Sequence, residues 1–274
     1  ESSTNGAVLS SSITESCIDS PPKQTNKRLF NLHHTSDILE SVLKNIYERT
    51  GSPKHPIGLR DVDNMLWGIH KKELMVIGGR TSMGKSSIAL QIALNLADSS
   101  SRVAYFSLEM SKEQLIERLI ANIAKINARA LRHGIAKDTV KAQEKFLRSY
   151  LPQLKLLVDD EHGYSFDNIV GICEELRFDF VFIDYIQMVS SKGEKSKLDA
   201  IDEYVRKFKE LCKTLDMGGI LVSQINRAGV GNLVLNTLKG SGTLEEHPDT
   251  VKSLCWDRQT DEYNLRVEKQ RHGE

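Results

Sequence analysis

Apolar residues recur along this chain in two alternating rhythms. Short runs of strand type fall at residues 74–77, 102–108, 154–158, 178–183 and 219–223. Between them, apolar residues return at the three-to-four spacing of a helix face. Ile88, Ala89, Ile92, Ala93 and Leu96 form one such stripe, and Leu115, Ile116, Leu119, Ile120 and Ile123 form another. Ser111 and Gln114 stand three apart ahead of the second stripe, which predicts a capping box. Residues 127–150 read as helical with a break near Gly134, Ser165 is expected to cap a helix through Leu176, and 198–215 form a long amphipathic helix. The run at 178–183 is almost continuously apolar, as a central parallel strand requires. Residues 253–256 and 265–268 predict a closing hairpin. Strands alternating with helices imply an α/β fold with a mostly parallel sheet covered on both faces.

The N-terminal part has a different texture. Residues 1–27 are rich in Ser, Thr, Asn and Pro, and a tail over 1–34 is expected to be flexible because it holds too little apolar surface to order itself. From 35 to 51 the pattern becomes helical, with Ile38, Leu39, Val42, Leu43, Ile46 and Tyr47 on one face, Thr35 or Ser36 as the cap and Gly51 as the stop. Such a helix must pack on something, either its own domain or a neighbouring subunit; spacing alone slightly favours its own domain. Residues 52–274 then form the main domain, entered through a loop and short helix anchored by Leu59, Val62, Met65, Leu66 and Trp67.

Composition narrows the classes. The 274 residues carry 37 basic and 37 acidic side chains, so any nucleic-acid surface must be a local patch rather than a global field. The four cysteines, Cys17, Cys173, Cys212 and Cys255, form no C-x-x-C pair, which fits a reducing compartment without structural zinc. No apolar run approaches membrane-spanning length. The chain opens without an initiator Met and is expected to be a fragment.

The chemistry centres on the turn after the first strand. Gly79, Gly84, Lys85 and Ser86 fit G-x-x-x-x-G-K-[ST], flanked by a strand and a helix as a phosphate loop requires. Gly79, Arg80, Thr81, Ser82, Met83, Gly84, Lys85, Ser86 and Ser87 are therefore the expected triphosphate-binding set. Lys85 would reach the outer phosphates, and the Ser86 hydroxyl would sit on Mg²⁺. Asp184 ends the apolar strand FVFID, where a carboxylate can hold Mg²⁺ through water or simply cap a turn. Glu109 ends FSLEM, where it would serve as a general base or as a solvated helix-start acid. Gln224 follows the strand at 219–223 and could hydrogen-bond a γ-phosphate.

The segments GGRTSMGKSS, YFSLEMSKEQL, FIDYIQM, SQINR and KQRHG, in this order, resemble the RecA-like ATPase domain of DnaB-type replicative helicases. The resemblance runs from about residue 35 to 273. It implies ATP and Mg²⁺ as ligands, Glu109 as the catalytic base, Asp184 as the Walker B acid and Gln224 as the sensor. It also implies that Lys269 and Arg271 act in trans on the γ-phosphate of an adjacent subunit. The helix at 35–51 then resembles the linker helix that docks on a neighbour, which reverses the preference drawn from spacing. Residues 237–249 resemble the DNA-tracking loop, with Lys239, Gly240 and Gly242 as the phosphate-holding positions; without the family they would read as a surface loop. The implied partners are single-stranded DNA, copies of the same chain in a hexamer, a primase and a helicase loader, at a bacterial-type cytoplasmic, organellar or viral replication site. The implied activity is 5′-to-3′ translocation with duplex unwinding. The alternatives are a RecA-like strand-exchange ATPase and an ATP-gated interaction module without unwinding. Residues 228–236 hold no basic side chain where the family leads one to expect a more basic loop.

Overall fold

The computed structural model describes residues 34–48, 55–189, 197–224, 247–257 and 262–271. Two compact units divide at residue 51, one ending at Gly51 and the other beginning at Ser52. In the first, helix α1 spans Thr35–Tyr47. Its cap is His34 rather than Thr35 or Ser36: the His34 ring nitrogen accepts the Ser36 amide at 3.3 Å, satisfying one of the open N–H groups of the first turn. Ile38, Leu39, Val42 and Ile46 are exposed on this helix.

The second unit runs α2 (Arg60–Leu66), β1 (Leu74–Gly79), α3 (Lys85–Asp98), β2 (Val103–Ser107), α4 (Lys112–Ile123), α5 (Ala128–Arg132), α6 (Lys137–Tyr150), β3 (Leu156–Asp159), α7 (Phe166–Leu176), β4 (Phe180–Asp184), α8 (Lys197–Leu215), β5 (Gly218–Gln224), β6 (Thr250–Asp257) and β7 (Glu262–Gln270). The seven strands form one sheet in the order β3-β2-β4-β5-β1-β6-β7. All pairings are parallel except β6 with β7, the expected hairpin.

The sheet is covered on both faces because its strands alternate cleanly. Leu74, Val76, Ala104, Phe106, Val181, Ile183 and Leu221 face α7 and α8 through Ile169, Cys173, Val205 and Phe208. Met75, Ile77, Val103, Tyr105, Phe180, Phe182, Ile220 and Val222 face α3 and α4 through Ala89, Ile92, Ala93, Leu96, Leu115 and Leu119. Each large apolar side chain buried in this way contributes about 1.5–3 kcal/mol. The Ser111–Gln114 capping box forms as expected, and Ser165 makes a second with Asn168. Two of the boundaries that differ from the sequence reading shape the phosphate loop. β1 continues through both glycines because Gly79 pairs with Gln224 and Leu254 on its two flanks. A Cβ at Gly79 would come within 3.2 Å of the Leu254 carbonyl and of the Lys85 stem, so a larger residue there would have to push these neighbours back by a few tenths of an ångström. α3 begins at Lys85 rather than Ser87 because Gly84, left-handed at φ 80°, turns the chain directly into the helix.

One core position contradicts its chemistry. Lys252, in the middle of β6, is fully buried, and its Nζ has no hydrogen-bond partner among the described residues. Burial pushes its pKa down to about 7, with Asp63 the opposing charge. The ordinary lysine value is 10.5, so the folded state binds fewer protons than the unfolded chain between about pH 7 and 10.5. Stability therefore rises with pH across that window. The gap corresponds to a penalty on the order of 5 kcal/mol at neutral pH. Lys252→Met is expected to raise the urea midpoint at pH 7 and to flatten that rise; an unchanged midpoint at pH 7 would show the ammonium to be solvated.

Candidate nucleotide site

The parallel strands β1, β2, β4 and β5 end on one edge of the sheet, where ligands of open α/β folds bind. Register holds their last residues level, with Ser107 beside Asp184 and Gln224 beside Gly79. The loop from Gly79 to Gly84 leaves this edge and enters α3. Ser82 and Gly84 both have positive φ, 64° and 80°, which curls the backbone back toward the helix axis. Lys85 folds over the loop and donates to the Arg80 carbonyl at 2.9 Å. Ser86 and Ser87 follow in the first turn of α3, where the helix dipole and open amides favour an anion. Burial lowers the Lys85 pKa, while the charges of Asp184 and Glu109 oppose that fall.

Asp184 lies at the bottom of the site, only 2% exposed. Its Oδ2 accepts the Tyr105 hydroxyl at 2.7 Å, while its Oδ1 has no hydrogen-bond partner among the described residues. Burial pushes its carboxyl above the ordinary value, against the pull of the Tyr105 and Ser86 hydroxyls and the Lys85 charge. A buried acceptor left open beside a serine hydroxyl suits a hydrated divalent cation. Glu109 stands two residues beyond β2. The Leu108 amide donates to the Asp184 carbonyl at 2.7 Å, and the Ser107 hydroxyl braces the turn by donating to the Met110 carbonyl at 2.7 Å. Between these two buried residues Glu109 projects outward, exposed, with its charge felt at Lys85 and Tyr185.

Gln224 meets the loop directly, its Nε2 donating to Thr81 Oγ1 at 2.7 Å. Two further residues enter that the sequence does not single out. Gln187 donates to Ser223 Oγ at 2.8 Å and to the Gln224 carbonyl at 3.3 Å, and its Oε1 accepts the Gln224 amide, so it holds the end of β5 in place. It lies inside the YIQM segment, but an isolated Gln carries no spacing signal. Arg118, on α4, donates to Ser87 Oγ at 3.4 Å, and its charge reaches Asp184. One cation on a polar helix face is equally silent in sequence.

Lys269 and Arg271 lie elsewhere. Lys269 pairs with Val251 on the hairpin, and the Arg271 amide donates to the Asp249 carbonyl at 2.8 Å. Asp249 in turn accepts the Leu74 amide, at the start of β1. The phosphate loop leaves β1 at its other end, about 17 Å away along the strand. The fold therefore gathers Lys85, Ser86, Glu109, Asp184 and Gln224, leaves Arg271 at the opposite end of the strands, and holds Lys269 level with Val76 in the middle of β1, two strands away. Lys239, Gly240 and Gly242 lie outside the described residues.

Arg271 Nη1 sits 3.1 Å from Asp249 Oδ1, and Lys209 of α8 pairs with Oδ2. The Asp249 side chain is 4% exposed. Burial alone would push its carboxyl up, but the hydrogen bonds from Lys209 and the Leu74 amide, with the Arg271 charge, bring it below the ordinary value.

Known proteins share this sequence and fold. The sequence model of the DnaB-like helicase C terminal domain matches residues 55–274. The replicative DNA helicase DnaB of Rickettsia prowazekii is 32% identical over 215 residues, covering 71% of this chain and 44% of that protein. The replicative DNA helicase DnaC of Bacillus subtilis is 29% identical over 237 residues, 80% of this chain and 52% of that one. The chain thus spans about half the length of these curated relatives. Among solved structures, one of an ATPase domain superposes with a TM-score of 0.81 at 25% identity, over 89% of this chain and 93% of that one. A DnaB-like replicative helicase, solved for its interactions with primase, superposes at 0.76 and 25% identity, over 89% of this chain and 63% of that one.

Proposed function

The chain belongs to the family of DnaB-like helicase C-terminal domains, and from that premise we propose that it is an ATP-driven motor of DNA replication. It moves 5′ to 3′ on single-stranded DNA as a hexameric ring and unwinds duplex. Residues 52–274 are the motor domain, 35–51 the linker helix and 1–34 a tail.

ATP lies along the loop from Gly79 to Ser87, with its outer phosphates against Lys85 and the α3 amides. The Ser86 hydroxyl and the open Oδ1 of Asp184 would hold Mg²⁺, which would supply charge neutralisation at the phosphoryl oxygens. Glu109 orients the attacking water and accepts its proton. Gln224, tied to Thr81, senses the γ-phosphate, and Gln187 keeps it in place. Lys269 and Arg271 complete the site of the next protomer, where cations placed against the transferring phosphoryl group act as fingers. The observation that carries this reading is the position of Arg271: about a strand's length from its own loop, it is better placed for a triphosphate on another chain. The exposed apolar face of α1 fits a linker helix seated on that neighbour. Lys239, Gly240 and Gly242 hold one DNA phosphate per subunit, a contact independent of base sequence and weakened by salt. A primase and a loader are the further partners, and the replication site is the place of action. Among the described residues no helix is long and apolar enough to cross a membrane.

The test is ATP turnover with and without single-stranded DNA, and strand displacement on duplexes with a 5′ or a 3′ tail. DNA-stimulated turnover, displacement only from the 5′ tail, and loss of both in Lys85→Ala are expected. Turnover indifferent to DNA would turn the balance to the strand-exchange or interaction-module alternatives.

A further inference from the structure

Asp249 is the least expected charge in the fold. It lies at the entry to β6 on the sheet edge remote from the phosphate loop, with a side chain 4% exposed. Nothing in the chemistry described for ATP uses it. Yet every acceptor it offers is occupied. Oδ2 takes the Leu74 amide at 2.8 Å and the Lys209 ammonium, which also donates to the Lys72 carbonyl at 2.9 Å. Oδ1 takes Arg271 Nη1 at 3.1 Å, and its main-chain carbonyl takes the Arg271 amide at 2.8 Å.

Arg271 is thus gripped twice by one residue, once through its backbone and once through one end of its guanidinium. The side chain is 45% exposed. An arginine carries five N–H donors in a planar fork, so a contact at Nη1 fixes the plane in which the rest of the fork can meet a second anion. Asp249 itself cannot drift. Leu74 ties it to the start of β1 and Lys209 to α8, two elements packed into the core. A long side chain beyond the end of a strand would otherwise sample many rotamers, and ordering it costs conformational entropy. Here that ordering is done within the protomer, before any neighbour is met.

We propose that Asp249 is the positioning residue of the trans-acting arginine: it holds the Arg271 guanidinium, from within its own chain, in the orientation that meets the triphosphate of the adjacent protomer. This inference rests on the shared-site reading above and assigns a residue that the reading leaves without a role. Asp249 touches neither nucleotide nor reacting atoms, and it acts only through Arg271.

Co-assembled oligomers test it. Asp249→Asn, Arg271→Ala and Lys85→Ala are assayed alone for kcat and for KM of ATP; the first two are then each co-assembled with Lys85→Ala. Alone, Asp249→Asn is expected to lower kcat by about 10²-fold, the scale of a misplaced catalytic group, with KM little changed. Mixed with Lys85→Ala, it should regain turnover, because its intact loop then faces an intact arginine from the other chain. A role confined to its own site or to its own folding would show no such recovery. If Arg271→Ala recovers in the mixture and Asp249→Asn does not, this inference is overturned while the shared site stands. If neither recovers, the shared-site reading fails and takes this inference with it. Should Asp249→Asn not fold, Asp249→Glu keeps the charge with a longer reach. It should retain nucleotide binding and show the same complementable loss of kcat; wild-type kcat would overturn the proposal.

Discussion

Replacing Arg271 with alanine is expected to lower ATP turnover by about 10³–10⁵-fold, the range over which arginine fingers act. The loss should fall on kcat, because Arg271 lies at the far edge of the sheet from its own phosphate loop and takes no part in first capturing the nucleotide. Folding should survive. Asp249 keeps the Leu74 amide and Lys209 when Arg271 is removed, so no buried carboxylate is stranded. Turnover at saturating ATP, nucleotide affinity and thermal melting on the same preparation check all three points. Lys269→Ala should act in the same direction with a smaller effect, since a lysine offers a point charge without the planar fork. Turnover within a few-fold of wild type would remove the reason for placing either residue at a neighbour's site.

Replacing Glu109 with glutamine is expected to cost about 10²–10⁴-fold in turnover, the usual worth of a positioned general base. The substitution keeps shape and removes only basicity and charge. Glu109 is exposed, so neither fold nor loop should change. Binding of a non-hydrolysable ATP analogue should persist, which separates this variant from Lys85→Ala, where phosphate contact itself is lost. One secondary effect follows from the electrostatics. Glu109 and Asp184 both support the Lys85 charge against burial, so removing Glu109 should lower the Lys85 pKa further. Nucleotide affinity in Glu109→Gln should therefore weaken at a lower pH than in wild type as pH rises. Retained turnover in this variant would move the base elsewhere.

Most of the site around the phosphate loop is legible in the sequence because local signals and tertiary placement agree there. Gly84 and Lys85 need only a preceding strand and a following helix to make a phosphate loop, and both flanks announce themselves by period. Asp184 is legible because a continuously apolar strand must lie centrally, and its last residue must therefore reach the ligand-binding edge. Glu109 and Gln224 take their roles from the resemblance to DnaB-type helicases, since alone they read as a solvated helix-start acid and an ordinary strand-end Gln; the order of β2, β4, β5 and β1 then puts both at the ligand-binding edge. Arg118, Gln187 and Asp249 have no such signal. Each works through a partner distant in sequence, such as Asp249 with Leu74, 175 residues apart, and nothing in local spacing records that closure. The cap of α1 escapes the sequence for a related reason: Thr35 and Ser36 are the commoner caps, and only geometry shows the His34 ring in that place. Lys252 is a different case: the structure buries it in β6, just ahead of the strand read at 253–256, and a lysine gives no hint of a core position.

If each triphosphate is shared by two protomers, turnover must depend on assembly. Specific ATP turnover and particle mass, measured together across a dilution series with single-stranded DNA present, read that dependence. Turnover per chain is expected to rise with the assembled fraction and to be nearly absent from the isolated chain. Equal turnover per chain in the isolated and assembled forms would mean that each chain completes its own site.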